Sequence, residues 1–307
     1  MMPRREQDGG GMSEPVPVSV GRSIVAALAC SWALAGFVTL VIYMLVSGEA
    51  PVNDAQALTF ETILPYIAIG FAAQLVDGSL GIGFGIITGI ALAGLGVPTT
   101  LAATSIRTVE GFVCGASALS HVWLRNVDWR IFSLLVTPGI IGSLAGAFLA
   151  SRFDISFARL AVYLYLIAVS ALALWRLWRR TLRARRSEEI GVLGLAGGFF
   201  DMAGGAGWGP VVAGNLLLKG VEPRRVVGTV AVSEFFVTIA ISVLLIGVLG
   251  AMAFTTAAIG LLIGGVAGAP LAAFATRQIE PRWLGLAIAG LLLVLATGGL
   301  ARFAGLF

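Results

Sequence analysis

The sequence predicts an all-α polytopic membrane protein, and three observations support this fold class. Of the 307 residues, 58% are hydrophobic and 12% are charged, which is about half the charged fraction of a soluble domain. Apolar stretches of roughly 20 residues, the length that crosses a bilayer, recur along the whole chain. An acidic, glycine-rich motif occurs twice within such stretches. Because the polar residues are too few to cover a soluble core, most of the surface is expected to face lipid.

The amino-terminal part divides into a tail and a first helix. Residues 1–22 are predicted to form a disordered cytoplasmic tail, since they are polar and rich in glycine and proline. Residues 23–47 are predicted to be an extra transmembrane helix. This run is too long for a signal-peptide core, and no clear small-residue cleavage site follows it.

Eight further apolar stretches follow this helix. Two of them, 63–96 and 190–218, are too long for a single span, and glycines interrupt each near its middle. The interruptions read DGSLGIGFG from Asp77 and DMAGGAGWG from Asp201. Dense glycine lowers helix stability and permits positive φ angles. Each long stretch is therefore predicted to be two half-helices joined by a turn, which is tolerated at membrane depth only inside protein or beside a wet cavity.

The arginines favour re-entrant hairpins for these two stretches. If each hairpin returns to its own side, 16 of the 20 Lys and Arg residues fall on the inside and 3 on the outside, with Arg107 inside a span. If each stretch instead crosses the membrane once, Lys and Arg are distributed almost equally between the two sides. The positive-inside rule thus predicts seven full spans and two hairpins, with a cytoplasmic N-terminus and an external C-terminus.

An offset of 124 residues aligns the sequences of the two halves of the chain. It aligns Asp77 with Asp201 and Glu110 with Glu234, and matched intramembrane acids are rare. The sequence predicts repeat 1 at 63–178, a basic cytoplasmic linker at 179–189 and repeat 2 at 190–303. Each repeat is a hairpin plus three spans. Because three is odd, the second copy enters from the opposite side, and such inverted repeats are common in secondary transporters.

Five segments carry a resemblance to a known family. They are residues 78–85, 204–209, 97–105 (VPTTLAATS), 221–229 (VEPRRVVGT) and 126–130 (NVDWR). With these motifs doubled and in order, the chain resembles the TauE/SafE family over roughly residues 63–303. The resemblance implies a small-anion transporter, with sulfur-containing anions as the leading substrate class. The chain departs from the family in its extra first helix and in Ile82 and Phe84, which separate glycines that are consecutive in many members.

The two glycine turns are the first candidate binding elements. Each second half-helix is expected to begin near Ile82 or Ala206 and to point free N–H groups into the protein, which suits an anion. The alternative is that the glycines serve only close helix packing. The candidate residues are Gly81, Ile82, Gly83, Gly205, Ala206 and Gly207.

Arg107 is the basic residue that lies deep in a span. Its guanidinium can bind a sulfonate or sulfite with two donors; alternatively, it pairs with Glu110 three residues further along the helix. Four hydroxyl residues close to the expected cavity are further candidates for substrate contact, although such hydroxyls often bond back to their own helix. They are Thr104, Ser105, Thr229 and Ser233.

The four intramembrane acids are predicted to have two different roles. Glu110 and Glu234 are predicted to carry protons, with a neutral, hydrogen-bonded structural role as the alternative. Asp77 and Asp201 lie where each first half-helix ends, so they are expected to cap the following half-helix rather than to contact an anion that they would repel.

Together these features predict a secondary transporter in the cytoplasmic (inner) membrane that exports sulfite or an organosulfonate with proton coupling. The alternative is a transporter or channel for another small anion, such as a carboxylate, or for a metal ion. The expected partners are the substrate and lipid, not nucleic acid, and a homo-oligomer is left open. No enzyme, cofactor or metal site is expected, because one histidine and two separated cysteines supply no catalytic cluster.

Overall fold

The structure is a computed structural model that describes residues 60–153, 156–179, 189–204, 207–249 and 255–305. The regular elements in these ranges are ten helices. They are α1 (Phe60–Leu80), α2 (Phe84–Gly94), α3 (Thr99–Trp123), α4 (Trp129–Arg152), α5 (Ser156–Trp178), α6 (Ile190–Gly204), α7 (Trp208–Leu218), α8 (Pro223–Leu249), α9 (Thr256–Gln278) and α10 (Pro281–Phe303). The predicted tail at 1–22 and helix at 23–47 lie outside the described residues, as does most of the linker.

Helix length and composition agree with a membrane environment. Five segments are long and apolar enough to cross a bilayer, namely Phe60–Leu80, Trp129–Arg152, Arg159–Trp178, Thr256–Gln278 and Pro281–Phe303. Helix α3, which carries Arg107 and Glu110, has 25 residues, and helix α8, which carries Glu234, has 27. The prediction of an all-helical, multi-pass membrane protein is therefore confirmed for the described part of the chain.

Both long stretches are broken where the glycines predict. Helix α1 ends at Leu80 and α2 begins at Phe84, and the turn between them has positive φ at Gly81 (76°) and Gly83 (116°). In the second stretch α7 begins at Trp208, directly after Gly207, whose φ is 84°. Only glycine adopts such angles without strain. The second half-helices thus begin at Phe84 and Trp208, two residues later than the positions expected from the sequence.

The first broken pair returns to the side from which it starts. Helix α9 runs parallel to α1: Gly260 lies against Ile63 at one end, and Thr276 donates a hydrogen bond to the carbonyl of Ser79 at the other. The start of α9 also adjoins the start of α3 through the Ser105–Thr255 hydroxyl pair, 2.7 Å apart. Helix α2 leads by a short turn into α3 and packs antiparallel to it, as its Gly85 and Gly89 face Glu110 and Ile106. Its end therefore lies beside the start of α1.

The second broken pair is closed by an ion pair. Lys219, just after α7, contacts Glu189, just before α6, so this hairpin also starts and ends on one side. Helix α6 packs parallel to α4, with Gly194 against Leu135 and Gly198 against Gly139. We call the side that holds the starts of α1, α3 and α9 the first face, and the side that holds the starts of α4, α6 and α8 the second face.

The two breaks meet inside the protein. A Cβ at Gly209 would overlap the carbonyl oxygen of Gly81 and lie 3.2 Å from a methyl group of Ile82. The first residue of α7, Trp208, is fully buried against Gly139 and Gly197. Close packing of α7 with α4 and α6 thus holds one break against the other.

Candidate functional site

A cavity of about 650 Å³ lies where the two breaks meet. Its deep part contains four acids and one arginine, which come from four different helices: Asp77, Arg107, Glu110, Asp201 and Glu234. Its outer part reaches the exposed Arg159 and Arg302 at the start of α5 and the end of α10. The cavity therefore extends from the middle of the protein toward the first face.

The first half-helix pair contributes both an acid and a helix terminus to this cavity. The N–H of Phe84 donates a hydrogen bond of 3.2 Å to Asp77 Oδ1, so the acid before the break caps the helix after it. Gly83, Gly85 and Ile86 also line the cavity. The positive end of the α2 dipole and the N–H groups of its first turn consequently face the cavity.

The guanidinium of Arg107 joins two helices through carboxylates. Its Nη1 donates to Glu110 Oε2 at 3.0 Å, and its Nη2 donates to Asp201 Oδ1 at 3.4 Å. The Arg107 side chain is 29% exposed and lines the cavity. The pair with Glu110 that the sequence allowed is thus present, and a second acid from α6 joins it. A guanidinium has five N–H donors, so ligand contact and ion pairing are compatible.

The acids outnumber the arginine in the deep cavity. Glu234 lines the cavity and has no ion-pair partner among the described residues. Four ionised carboxylates beside one guanidinium would repel one another strongly in a medium of low dielectric constant. The deep cavity therefore contains more acidic groups than the single guanidinium can pair with.

The four candidate hydroxyl residues lie away from the cavity lining. Ser105 is bonded to Thr255, and Thr229 accepts a 2.8 Å hydrogen bond from the Asp128 N–H at the second face. Ser233 is buried without a hydrogen-bond partner in the described part of the chain, and Thr104 is half-buried.

The six turn residues are divided between cavity and core. Gly83 and Gly207 line the cavity, whereas Gly81 packs against Val227 and Ile82 is buried in the core at 1% exposure. The remaining two, Gly205 and Ala206, lie outside the described residues.

A buried hydrogen-bond cluster beneath the first break has no counterpart in the sequence analysis. His121 Nε2 lies 2.8 Å from the carbonyl oxygen of Gly78, and Asn126 Nδ2 lies 3.1 Å from His121 Nδ1. Because a carbonyl only accepts, Nε2 carries the proton and Nδ1 accepts from Asn126. The Thr276 hydroxyl also lies 3.3 Å from the Gly78 carbonyl oxygen. The cluster links the end of α1 to α3 and α9. Gly78, His121 and Thr276 are too far apart in the sequence for a local pattern to group them.

The acids of the deep cavity were also compared with the ligand groups of metal sites. No three His, Cys, Asp or Glu side chains in the described ranges come together in a way that could hold a metal ion. Arg107 donates hydrogen bonds to Glu110 and Asp201, and the first N–H of α2 donates to Asp77. Glu234 of α8 has no ion-pair partner among the described residues.

Comparison with known proteins identifies the class of this fold. A family model described as "Sulfite exporter TauE/SafE" matches residues 66–298. The chain is 32% identical over 247 residues to a Bacillus subtilis (strain 168) protein named "Probable membrane transporter protein YtnM", an alignment that covers 76% of this chain and 80% of that protein. No solved structure is a significant match.

Proposed function

This chain belongs to the TauE/SafE family of membrane transporters, and from that premise we propose that it exports a small sulfur-containing anion, sulfite or an organosulfonate, with proton coupling. The observation that carries the proposal is the position of Arg107, a guanidinium that lines a cavity between two broken helices. Broken helices that meet near the middle of the membrane commonly form the substrate site in secondary transporters.

Three features support an anionic substrate. Arg107 offers donors in the planar arrangement that matches two sulfonate or sulfite oxygens. The first turn of α2 faces the same cavity, and a helix N-terminus attracts negative charge. The mouth carries Arg159 and Arg302, which have no ion-pair partner among the described residues and can raise the local concentration of an anion.

The acids support proton coupling. Glu110 and Glu234 occupy equivalent positions in the two halves and line the same cavity. Glu110 is held by Arg107, whereas Glu234 is not, so Glu234 is the freer of the two to take up and release a proton. We assign proton carriage to these two residues and a capping role to Asp77 and Asp201.

We further propose that the fold is an inverted repeat, with units at 63–178 and 190–303 joined by a basic linker at 179–189. Two hairpins that return to opposite faces are the arrangement that an inverted repeat requires. The arginine distribution supports a cytoplasmic second face and an external first face, with the cavity mouth on the outside. Cysteines introduced singly at Thr99 and Arg183 test this: labelling of both from the same side would contradict the topology.

One observation favours a different substrate. Four acids in one cavity are an environment that also suits a cation, which makes a metal ion the second candidate. The pairing of Arg107 with two of the acids argues for the anion.

Flux through proteoliposomes tests the proposal directly. The purified full chain is reconstituted, and transport of sulfite, methanesulfonate, acetate and Mn²⁺ is measured with and without a pH gradient. We expect saturable flux of a sulfur anion that responds to the gradient and is lost in Arg107→Gln. Arg152→Gln removes an exposed arginine outside the cavity; it is the matched control and should transport normally. Flux of Mn²⁺ alone would favour the cation.

A further inference from the structure

Helices α5 and α10 meet at the second face, at the ends opposite the cavity mouth. Helix α5 ends there and α10 begins there, and a Cβ at Gly285 of α10 would lie 3.1 Å from a methyl group of Leu177 of α5. Two residues further toward the second face along each helix, Arg179 is level with Trp283. Because both helices are long and apolar enough to cross a bilayer, these two residues lie near the depth of lipid head groups.

A third helix begins beside this pair with the same three residues. Residues 222–224 at the start of α8 and residues 280–282 at the start of α10 both read Glu-Pro-Arg. A Cβ at Gly285 would also lie 3.1 Å from Cγ of Pro223, so the first turns of α8 and α10 are in contact. Each first turn carries free N–H groups and the positive end of a helix dipole, and the two adjacent starts therefore favour negative charge nearby.

The arginines at this place exceed the acids that could neutralise them. Arg179, Arg224 and Arg282 have no ion-pair partner among the described residues. The Nε atoms of Arg224 and Arg282 are also buried without a hydrogen-bond partner in these ranges, which is unfavourable for a charged donor. Of the two acids that precede the prolines, Glu222 is already engaged in an ion pair, and Glu280 is exposed. An additional anion would satisfy the unpaired guanidinium groups.

Exposed tryptophans accompany these arginines. Trp175, Trp178 and Trp283 are 52%, 71% and 61% exposed. The guanidinium carbon of Arg179 lies 5.1 Å from the ring centroid of Trp175, and that of Arg282 lies 5.9 Å from the ring centroid of Trp283. Tryptophan is enriched where a membrane meets water, and a site for a soluble anion has no need of exposed rings beside it. This combination favours a lipid as the source of the anion.

We propose that the first turns of α8 and α10, together with the end of α5, bind an anionic phospholipid. Its phosphate lies at Arg224 and Arg282, with Arg179 at the edge of the site, and its acyl chains follow the apolar outer surfaces of α5 and α10. Basic pockets between membrane helices recognise lipid head groups in this way. The proposal is independent of the transported substrate. The bound lipid joins α5 and α10, whose opposite ends carry the arginines of the cavity mouth.

Lipid titration of the purified full chain in a mild detergent tests the proposal. Binding of phosphatidylglycerol and of phosphatidylcholine is measured by native mass spectrometry, and inorganic phosphate is added in a separate arm. We expect phosphatidylglycerol to bind more tightly than phosphatidylcholine and to raise the melting midpoint of the protein, whereas inorganic phosphate alone should not raise it. Removal of both arginines in Arg224→Gln/Arg282→Gln should weaken phosphatidylglycerol binding about thirtyfold, since each basic residue near a lipid surface contributes a factor of about five.

A second pair of arginines at the same face provides the matched control. Arg125→Gln/Arg130→Gln removes two exposed arginines close to the exposed Trp123 and so causes the same change in net charge. This variant should bind phosphatidylglycerol with nearly normal affinity. Should the Arg224→Gln/Arg282→Gln protein not fold, the single change Arg282→Gln, with an expected loss of about fivefold, provides the same comparison.

Three results would overturn the proposal. Equal affinity for the two lipids would show that the arginines do not select negative charge. An equal loss of affinity in the two arginine pairs would show that only the overall charge of the second face matters. Stabilisation by inorganic phosphate as large as that by phosphatidylglycerol would identify a site for a soluble anion. None of these results would change the proposed transport function.

Discussion

Replacing Gly139 with alanine should displace the start of α7 and lower the stability of the protein. A Cβ at Gly139 would lie 2.6 Å from Cη2 and 2.7 Å from Cζ3 of Trp208. Real Cβ contacts are essentially never below 3.0 Å, so the ring has to move by at least 0.4 Å, the difference between 3.0 and 2.6 Å. Trp208 is fully buried and begins the half-helix that follows the second break, so the movement is transmitted to the cavity.

The size of the stability change in Gly139→Ala follows from two opposing contributions. Overpacking of a close-packed site costs about 1–3 kcal/mol, whereas glycine to alanine inside a helix gains up to about 1 kcal/mol. Gly290→Ala on α10 is the matched control, since a Cβ there has no atom within 4 Å and receives the same helical gain. The difference between the two variants therefore isolates the overpacking term.

Thermal unfolding in one detergent, followed by proteoliposome flux, measures both effects. Gly139→Ala should melt roughly 2–12 °C below Gly290→Ala and transport more slowly. Adding Trp208→Phe to Gly139→Ala should restore part of the loss, because the smaller ring makes room for the methyl group. Trp208 Nε1 has no partner in the described residues, so this second change removes no known hydrogen bond. Equal stability and flux for Gly139→Ala and Gly290→Ala would refute the packing argument.

Three further outcomes are expected. Glu234→Gln should bind the anion but lose uphill transport driven by a pH gradient, and a variant that still concentrates the anion would remove Glu234 from proton carriage. His121→Leu should lower the free energy of unfolding by about 1–3 kcal/mol, because the buried amide of Asn126 loses its acceptor; an unchanged melting midpoint would exclude this role. Arg302→Gln should slow anion entry at low ionic strength and have little effect at high salt, and a loss independent of salt would contradict a steering role.

The positions of the helices and breaks were accessible from the sequence because they depend on local composition. Long apolar runs indicate segments that lie in the membrane, and dense glycine indicates an interrupted helix. The interruptions after Asp77 and Asp201 could therefore be placed within a few residues. The pair between Arg107 and Glu110 was also accessible, since residues three apart share a helix face.

Contacts between elements that are not consecutive in the chain were not accessible in this way. Asp201 is 94 residues from Arg107, and from the sequence it was expected only to cap the following half-helix. The partners of His121 lie 43 residues away on α1 and 5 residues away beyond the end of α3. No periodicity connects such positions, because the register at which one helix packs against another depends on the shapes of both surfaces.

By itself, the sequence determined that this chain is a multi-pass membrane protein with two glycine breaks and matched acids, since these follow from solvent, chain length and backbone freedom. Only the tertiary structure decided that the breaks touch, that Asp201 of one half pairs with Arg107 of the other, and that the acids share one cavity. The reason is physical: helix formation is decided over a few turns, whereas a cavity exists only once distant helices have packed around it.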